Sequence, residues 1–222
     1  MPGYLVKLES IAITGVANIQ IRSLLDREQF SDPLGEAEAM GISSAAWPLF
    51  GLVWPSGRVL AGEMAVRDLA GLRILEVGCG LAIASLIAHR RLADVTASDC
   101  HPLARSFINE NLRLNGLPPM KYLTGDWATH SEALGRFDLI IGSDVLYERD
   151  ERGQLAGFIQ RHAAPSAEVL IVDPDRGNRP HFSRHMKHNG FTLTETRADC
   201  EHEAVAYRGR LLRYLREAPL AA

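Results

Sequence analysis

The chain has 222 residues, which is enough for one α/β domain with a sizeable hydrophobic core. It carries 24 basic and 27 acidic residues, so a nucleic-acid polymer is not an expected partner. No run of about 18 apolar residues occurs and the first ten residues do not resemble a secretion signal, so neither a membrane span nor export is expected.

The cysteine content indicates a reducing compartment. Cys79, Cys100 and Cys200 are an odd number with no paired spacing, which argues against a disulfide framework. Together with the first residues, this predicts a cytoplasmic protein. Cys79 lies between two glycines, where we interpret it as a small residue that fits a tight turn. The alternative for Cys79 is a redox or nucleophilic role.

The first quarter of the chain differs in pattern from the rest. Residues 4–25 show partial alternation and β-branched residues, which predicts two or three short strands. Residues 26–55 are rich in Gly, Pro, Ser and aromatic residues, and long irregular stretches of this kind are often functional. We therefore expect a β-hairpin and lid-like extension over residues 1–55 and the main domain over residues 56–222.

From Ser56 onward, strand patterns alternate with helix patterns. The predicted strands are LRILEVG, DVTASD, MKYLTGD, FDLIIGSD and EVLIVDP, and the predicted helices contain SGRVLAG, AIASLIA, HPLARSF, ERDERGQ and PHFSRHM. Apolar runs such as LIIG and VLIV are typical of strands buried on both faces. The strands FTLTETR and RLLRYLR follow without a clear helix between them, which predicts a terminal antiparallel pair.

This order of elements defines the expected fold class. Strands that alternate with helices of this length form a parallel sheet with helices on both faces. We predict an α/β fold, a doubly wound and mostly parallel seven-stranded sheet of Rossmann-like type. The terminal antiparallel pair would close one edge of the sheet, and a β-rich extension would precede the sheet at the N-terminus.

Two closely spaced glycines join a predicted strand to a predicted helix in RILEVGCGLAIAS, residues 73–85. Gly78 and Gly80 match the first two glycines of a dinucleotide-binding G-x-G-x-x-G turn, but the third position is Ile83. No lysine follows, as a phosphate-binding loop would require. The turn therefore favours a ligand without phosphates, held by a close approach of the backbone.

Acidic residues stand at the ends of five consecutive predicted strands. They are Glu76, Asp99, Asp126, Asp144 and Asp173. Each alone could be a helix cap or a turn residue. Because ligands of open α/β sheets bind beyond the carboxyl ends of the strands, the five together predict an acid-lined crevice around the glycine turn.

Two of these acids indicate what the ligand contains. Asp99 follows the glycines by about 20 residues, the position of a carboxylate that binds ribose hydroxyls. Asp126 can accept a hydrogen bond from an exocyclic adenine amine while Trp127 packs on the ring. A ligand with adenine, ribose and a positively charged remainder would suit this crevice.

In this order the motifs resemble those of a known superfamily. EVGCGLA is similar to the E/D-x-G-x-G-x-G motif of class I, seven-β-strand S-adenosylmethionine-dependent methyltransferases, with Ala82 at the third glycine. This departure is mild if Ala82 keeps a negative φ. SDCHP and GDW resemble the ribose-binding and adenine-binding positions, and the resemblance covers about residues 47–216.

A narrower resemblance comes from GSDVLYE, residues 142–148. It is similar to the D-x-x-Y motif of the lysine methyltransferase group, also called methyltransferase family 16. Members of that group carry an upstream tryptophan, like Trp54 in VWPSG. VDPDRG, residues 172–177, resembles the Asp-Pro-x-Arg segment of members similar to the electron-transfer-flavoprotein β-subunit lysine methyltransferase.

The resemblance implies S-adenosylmethionine as the cofactor and divides the site in two. The implied cofactor-binding residues are Trp54, Glu76, Gly78, Cys79, Gly80, Asp99, Cys100, Asp126, Trp127 and Ser143. The implied catalytic residues at the acceptor are Asp144 and Tyr147, and no metal is implied.

The chemistry of a lysine acceptor places two demands on these residues. In-line methyl transfer needs alignment, which supplies up to about 7–11 kcal/mol in well-oriented systems. A lysine with a free pKa near 10.4 must first lose its proton, at a cost of roughly 4 kcal/mol at neutral pH. We therefore expect Asp144 to orient the amine and Tyr147 to pack on its stem or donate through its hydroxyl. Val145, Leu146 and Phe50 would exclude water.

Several alternatives for the function stay open at this point. Asp144 and Tyr147 could be structural, as a helix cap and a cover for the sheet end. The fourth strand lacks the prolines of N/D-P-P-Y/F base methyltransferases, so nucleic acid is not favoured. A small-molecule N- or O-methyltransferase, or a non-catalytic cofactor-binding protein, would carry the same motifs. The expected partner is therefore a protein lysine or a small-molecule amine, with no membrane.

Other residues have a structural and a functional interpretation. Trp47 and Trp54 could be core aromatics or covers for a ligand. The helical spacing of His181, His185 and His188 suggests a metal, but no carboxylate or cysteine nearby in sequence completes a set. The acidic crevice could bind Mg²⁺, although the motif order favours ribose and adenine. Four arginines of the last strand are interpreted as solvated charges, or as a docking patch: Arg208, Arg210, Arg213 and Arg216.

Overall fold

A computed structural model of the chain describes residues 3–128, 134–147, 150, 152–175, 177–199 and 207–218. The first half of the chain contains β1 (Val6–Ile13), β2 (Val16–Leu24), α1 (Glu36–Ala39), a 3₁₀ helix (Trp47–Gly51), α2 (Pro55–Val66), β3 (Arg73–Val77), α3 (Ile83–Arg90), β4 (Asp94–Asp99) and α4 (Ala104–Leu114). The second half contains β5 (Lys121–Thr124), β6 (Phe137–Ser143), α5 (Gln154–His162), β7 (Ala163–Asp173), α6 (Arg179–His188), β8 (Thr192–Ala198) and β9 (Gly209–Arg216).

Seven of the described strands form one sheet in the order β5-β4-β3-β6-β7-β9-β8. The pairs among β3 to β7 are parallel, whereas β9 runs antiparallel to both β7 and β8. The predicted fold class is therefore confirmed, including the terminal antiparallel pair. Because β3, β4, β5 and β6 are parallel neighbours, their carboxyl ends meet at one edge of the sheet.

The central strands are buried on both faces, as their apolar runs predicted. Ile74 packs into the core cluster formed with α2, α3 and α4, while the next residue, Leu75, packs into the cluster formed with α5 and α6. Both side chains are fully buried. Since successive side chains of a strand point to opposite faces, such a strand must be apolar throughout.

The N-terminal hairpin is fixed to α4 by two asparagine side chains. Asn111 Oδ1 accepts a hydrogen bond from Arg22 N at 2.7 Å, and Asn115 bonds both N and O of Gln20. These amides replace the backbone partner that an edge strand lacks. The isoleucines of β1 and β2 also join the cluster around α2, α3 and α4. The predicted strands of residues 4–25 are thus two, and they place residues 26–54 above the sheet edge.

The structure refines two sequence predictions about individual elements. Helix α5 begins at Gln154, six residues after the predicted segment ERDERG starts, although residues 148, 149 and 151 lie outside the described residues. The arginines of β9 are more than solvated charges, because Arg213 Nε lies 2.8 Å from Glu168 Oε1 and Arg210 pairs with Asp175 and Glu195. Cys200 lies outside the described residues.

Among the described residues, no helix has the length and apolar character that crossing a membrane requires.

Candidate active site

A cavity of about 530 Å³, the central cavity, lies at the carboxyl ends of β3, β4, β5 and β6. Residues 40–54, which we call the cover segment, supply part of its wall on the other side. The structure brings all the residues predicted for the cofactor and acceptor sites to this one cavity: Trp54, Glu76, Gly78, Cys79, Gly80, Asp99, Cys100, Asp126, Trp127, Ser143, Asp144 and Tyr147. Their individual binding roles stay predictions.

The glycine turn allows two close approaches that any side chain would block. Gly78 and Gly80 have φ values of 57° and 50°, in the left-handed region that favours glycine. A Cβ atom on Gly80 would lie 2.7 Å from the carbonyl oxygen of Phe50 in the cover segment. A Cβ atom on Gly78 would lie 2.9 Å from Val145 Cγ1 and 3.4 Å from Trp127 Cζ2. The two glycines therefore allow Phe50 and Val145 to pack directly against the backbone of the turn.

Ala82 does not meet the condition under which its replacement of glycine would be mild, a negative φ. Its φ is 56° and its ψ is 37°, so Ala82 adopts the left-handed conformation that the third glycine of the motif would favour. Ala82 holds this conformation at the N-cap position of α3. For an alanine this costs roughly 1–2 kcal/mol.

Glu76 is buried in the wall of the cavity and tied to the next helix. Its Oε2 atom accepts hydrogen bonds from both the backbone N–H and the hydroxyl of Ser85, in the first turn of α3. Burial raises the pKa of Glu76 to about 7. At neutral pH this side chain is therefore only partly charged, and it links the glycine strand to the start of α3.

Asp99 is held by two backbone N–H groups at the end of β4. Its Oδ2 atom accepts from Gly80 N and its Oδ1 atom accepts from His101 N, each at 2.8 Å. Burial raises the pKa of Asp99 above its usual value, whereas these two hydrogen bonds act in the opposite direction. Each carboxylate oxygen can accept a further bond, as two ribose hydroxyls would require.

The other residues at this end of the cavity also fit their predicted surroundings. Asp126 Oδ1 accepts from Ala128 N at 2.8 Å, which fixes the turn after β5, and Arg161 donates to the carbonyl oxygen of Trp127. Burial raises the pKa of the Cys79 thiol well above its usual value and that of Cys100 to about 12. Both thiols are thus protonated at neutral pH, which favours the interpretation of Cys79 as a small turn residue.

The two tryptophans of the cover segment separate into one core residue and one cavity residue. Trp47 is 1% exposed and packs against Tyr4, Phe30 and Phe50, so it is a core aromatic. Trp54 lines the central cavity, and its indole N–H donates to the carbonyl oxygen of Leu49 at 2.9 Å. This bond fixes the indole within the cover segment.

His101 was missed by sequence reasoning, although it follows Asp99 by two residues. Its ring stacks on Phe50, with centroids 3.7 Å apart and planes inclined by 15°, and it meets Trp47 edge-on. Burial lowers the pKa of His101 to about 4, so the imidazole is neutral at physiological pH. The segment SDCHP contains this histidine and could have pointed to it. However, the residues that its ring contacts, Trp47 and Phe50, lie about 50 residues away in the sequence.

Asp144 and Tyr147 follow β6 at the open side of the cavity. Asp144 has a φ of 55°, and its N–H donates to the carbonyl oxygen of Val172 at the end of β7. Tyr147 is 43% exposed. The helix-cap alternative for Asp144 loses support, because Asp150 Oδ2 accepts the N–H of Leu155 in the first turn of α5.

Asp173 does not belong to the predicted acid-lined crevice. It is 1% exposed, it does not line the central cavity, and its Oδ1 atom accepts from Asp175 N. Its position at a strand end is as predicted, but the carboxylate turns into the loop that follows β7. Four of the five strand-end acids therefore meet at the cavity. Burial raises the pKa of Asp173.

A second cavity of about 450 Å³ adjoins the first at Trp127, Val145, Tyr147 and Gln154. Leu146 lines this second cavity and not the central one, whereas Val145 and Phe50 line the central cavity as expected. Among the described residues, no group of histidine, cysteine or acidic side chains is arranged to hold a metal ion. The rings of His181 and His185 lie 4.8 Å apart.

The shape and donor set of the central cavity fit an adenine nucleoside that carries a positive charge. Gly78 and Gly80 line the cavity without side chains, so a ligand can approach their backbone, and Asp99 presents acceptor atoms beside them. Asp126 and Trp127 supply an acceptor and an aromatic ring at one side. The fold and this cavity together define a class I methyltransferase that uses S-adenosylmethionine.

Comparison with known sequences gives the family. A model of the lysine methyltransferase family matches residues 44–189, so the chain belongs to that family. The chain is 30% identical over 202 residues to the electron transfer flavoprotein beta subunit lysine methyltransferase of Rattus norvegicus, covering 88% of this chain and 75% of that protein. It is 28% identical over 168 residues to the protein N-lysine methyltransferase METTL21A of Mus musculus, covering 72% and 76%.

Solved structures support the fold. The ribosomal protein L11 methylase of Lactobacillus delbrueckii subsp. bulgaricus superposes with a TM-score of 0.57 at 18% identity, over 73% of this chain and 79% of that chain. The magnesium protoporphyrin IX methyltransferase of Synechocystis PCC 6803, solved with bound S-adenosylmethionine, gives a TM-score of 0.55 at 21% identity, over 72% and 76%. At these identities the likeness concerns the fold.

Proposed function

We propose that this enzyme transfers a methyl group from S-adenosylmethionine to the side-chain amine of a protein lysine. The observation that carries the proposal is the position of Asp144 and Tyr147, which line the same cavity as the glycine turn and Asp99. Membership of the lysine methyltransferase family and the names of the relatives support lysine as the acceptor.

The cofactor would lie along the ends of β3, β4 and β5. Asp99 would accept hydrogen bonds from the ribose hydroxyls, because both its oxygens are oriented by backbone N–H groups. Asp126 would accept from the adenine amine, with Trp127 beside the ring. The remaining contacts would come from Trp54, Glu76, Gly78, Cys79, Gly80, Cys100 and Ser143.

Asp144 and Tyr147 would act on the acceptor lysine. When bound, the cofactor supplies a methyl group activated by its sulfonium, whose positive charge also lowers the pKa of a nearby amine. Asp144 orients the amine by accepting a hydrogen bond from its N–H, and Tyr147 packs on the methylene groups of the lysine at the mouth of the cavity. Val145 and Phe50 present apolar surface there, which excludes water and disfavours the charged amine.

The proposal includes an organisation of the chain and a place of action. Residues 1–55 would serve as the hairpin and lid-like unit, and residues 56–222 would carry the methyltransferase domain. The enzyme would act in the cytoplasm on a protein lysine, with neither nucleic acid nor a membrane as partner. The near balance of basic and acidic residues supports the exclusion of nucleic acid.

A labelling experiment tests the acceptor. The protein is incubated with an extract of its source organism and S-adenosylmethionine carrying a tritiated methyl group, and the protein, RNA and small-molecule fractions are then separated. We expect label in the protein fraction, recovered as methyl-lysine after hydrolysis. Label confined to the small-molecule fraction would reject a protein acceptor. No label, with cofactor binding intact, would favour a non-catalytic cofactor-binding protein.

A further inference from the structure

The turn that follows β4 is fixed by two residues in succession. Asp99 Oδ1 accepts from His101 N at 2.8 Å, and His101 Nδ1 in turn accepts from Leu103 N at 3.2 Å. Because Nδ1 is an acceptor, the neutral ring carries its proton on Nε2. The backbone N–H that orients one oxygen of Asp99 is therefore held by a chain of bonds that runs through the His101 imidazole.

The other side of the same imidazole is in contact with the cover segment. Its ring stacks on Phe50 at a centroid distance of 3.7 Å, and Phe50 packs edge-on against Phe107 of α4 and Trp47. The carbonyl oxygen of Phe50 occupies the space that a Cβ atom on Gly80 would need. His101 thus lies between the cover segment and the carboxylate that faces the ligand.

A second buried histidine makes similar kinds of contact outside the central cavity. His162 lies on α5, with its Nδ1 atom 2.9 Å from the carbonyl oxygen of Gly135 and its ring 4.5 Å from Phe158. It does not line the central cavity, whereas His101 does. His162 is therefore a matched control for the loss of a buried imidazole.

We propose that His101 is a positioning residue with two separable actions: its Nδ1 atom holds the β4–α4 turn so that Asp99 faces the ribose hydroxyls, and its ring fastens the cover segment over the nucleoside through Phe50. The first action rests on the proposed role of Asp99. Neither action requires His101 to touch the reacting atoms.

Two substitutions separate the actions. His101→Phe keeps an aromatic ring against Phe50 and removes the acceptor for Leu103 N. His101→Asn keeps an acceptor oxygen close to the backbone and removes the ring. His162→Phe removes a buried imidazole that does not line the central cavity, and thermal unfolding of all three variants measures the general loss of stability.

The readouts are binding and exchange, not turnover. Isothermal titration compares S-adenosylhomocysteine with its 2′,3′-dideoxy analogue, which lacks the hydroxyls that Asp99 would bind. Hydrogen exchange with mass spectrometry measures how strongly S-adenosylhomocysteine protects residues 40–54. For the wild type we expect at least tenfold tighter binding of the hydroxylated ligand, because hydrogen bonds to a charged group contribute about 1.5–3 kcal/mol, and clear protection of the cover segment.

The two variants should fail in opposite ways. His101→Phe should reduce the preference for the hydroxylated ligand to about threefold or less while the cover segment stays protected. His101→Asn should keep the preference and lose the protection. His162→Phe should match the wild type in both readouts. The inference is overturned if both His101 variants match the wild type, or if both lose preference and protection together. If the wild type itself shows no preference, the ribose role of Asp99 fails, and the first action of His101 fails with it.

Discussion

The two halves of the central cavity differ in how deeply their residues are buried. On the side of β3 and β4, Glu76 and Asp99 are almost fully buried, and each accepts hydrogen bonds from the turn or helix that follows its strand. On the side of β6, Asp144 sits in a left-handed conformation and Tyr147 is 43% exposed. We call the buried β3–β4 side the closed half of the cavity and the more exposed β6 side the open half.

This difference matches two kinds of ligand. A nucleoside cofactor is the same in every reaction cycle, so a rigid frame of backbone N–H groups can be oriented for it before it binds. A protein acceptor must bring a side chain through an opening, which agrees with the proposed role of Asp144 and Tyr147 on the β6 side. The comparison predicts that substitutions on the β6 side reduce turnover, whereas substitutions on the β3–β4 side reduce cofactor affinity and the free energy of unfolding.

The largest effect should follow from Asp144→Asn. Asparagine tolerates the left-handed backbone at this position, so the fold should be unchanged, while the neutral amide orients the amine poorly. We expect kcat on the protein acceptor to fall by about 100-fold or more, and the Kd for S-adenosylhomocysteine to change by less than about threefold. Steady-state kinetics and calorimetry measure the two values. An equal loss in both would remove the division between the halves.

Asp99→Asn should give the opposite pattern, with a somewhat smaller effect. The amide can accept only through one of its two terminal atoms, so either the Gly80 or the His101 N–H loses its partner, and the charge opposite the ribose hydroxyls disappears. We expect the Kd for S-adenosylhomocysteine to rise by about 10- to 100-fold. The kcat at saturating cofactor should stay within about fivefold of the wild type. A large fall in kcat with unchanged Kd would contradict the assignment.

The strand ends were the part of the site most accessible to sequence reasoning. Alternating strand and helix patterns predicted the sheet, and in a parallel sheet the strand ends must meet, so the pattern alone was enough to place Glu76, Asp99, Asp126 and Asp144 together. Asp173 shows the limit of that reasoning. Sequence places a residue at a strand end, but the hydrogen bond to Asp175 N decides that its carboxylate turns away from the cavity.

Sequence reasoning could not predict the contacts between the cover segment and the glycine turn. Phe50 and Gly80 are 30 residues apart in the sequence. No local pattern predicts that the carbonyl oxygen of Phe50 packs against Gly80, where a side chain would otherwise lie. The left-handed φ of Ala82 was missed for a related reason, because a motif with alanine in place of glycine suggests an ordinary backbone. Such features depend on packing between distant segments, which pattern and propensity do not determine.

Gly80→Ala should loosen the cover segment from the closed half. The new Cβ atom would meet the backbone of Phe50 at 2.7 Å, in addition to the cost of a left-handed φ of 50°. Gly116→Ala is the matched control, since Gly116 has a φ of 62°, does not line the central cavity, and a Cβ atom added there would meet no other atom within 4 Å. We expect Gly116→Ala to lower the free energy of unfolding by about 1 kcal/mol and Gly80→Ala by about 3 kcal/mol.

Denaturant unfolding and titration with S-adenosylhomocysteine distinguish these two glycine variants. Gly80→Ala should also weaken ligand binding, because the carbonyl of Phe50 and the turn must move apart beside Asp99. Gly116→Ala should bind the ligand as the wild type does. If the two variants lose the same stability, the contact between Phe50 and the glycine turn contributes nothing to the frame.

The smallest effect concerns two buried groups of the closed half, whose pH dependences oppose each other. The pKa of His101 is lowered from 6.5 to about 4, so the unfolded chain takes up a proton first as pH falls, and the fold loses stability below about pH 6.5. The pKa of Glu76 is raised from 4.5 to about 7, so the unfolded chain releases its proton first as pH rises, and the fold loses stability between about pH 4.5 and 7.

Between pH 5 and 6.5 each group changes the free energy of unfolding by about 2 kcal/mol, with opposite sign, so the two contributions nearly cancel. Replacing one group should expose the other. His101→Phe should become less stable by about 2 kcal/mol relative to the wild-type trend as pH rises from 5 to 6.5, and Glu76→Gln should become more stable by a similar amount. Urea unfolding at several pH values measures both slopes. Parallel curves for the wild type and both variants would mean that neither group is buried in the folded state. The difference in burial between the closed half and the open half would then be lost.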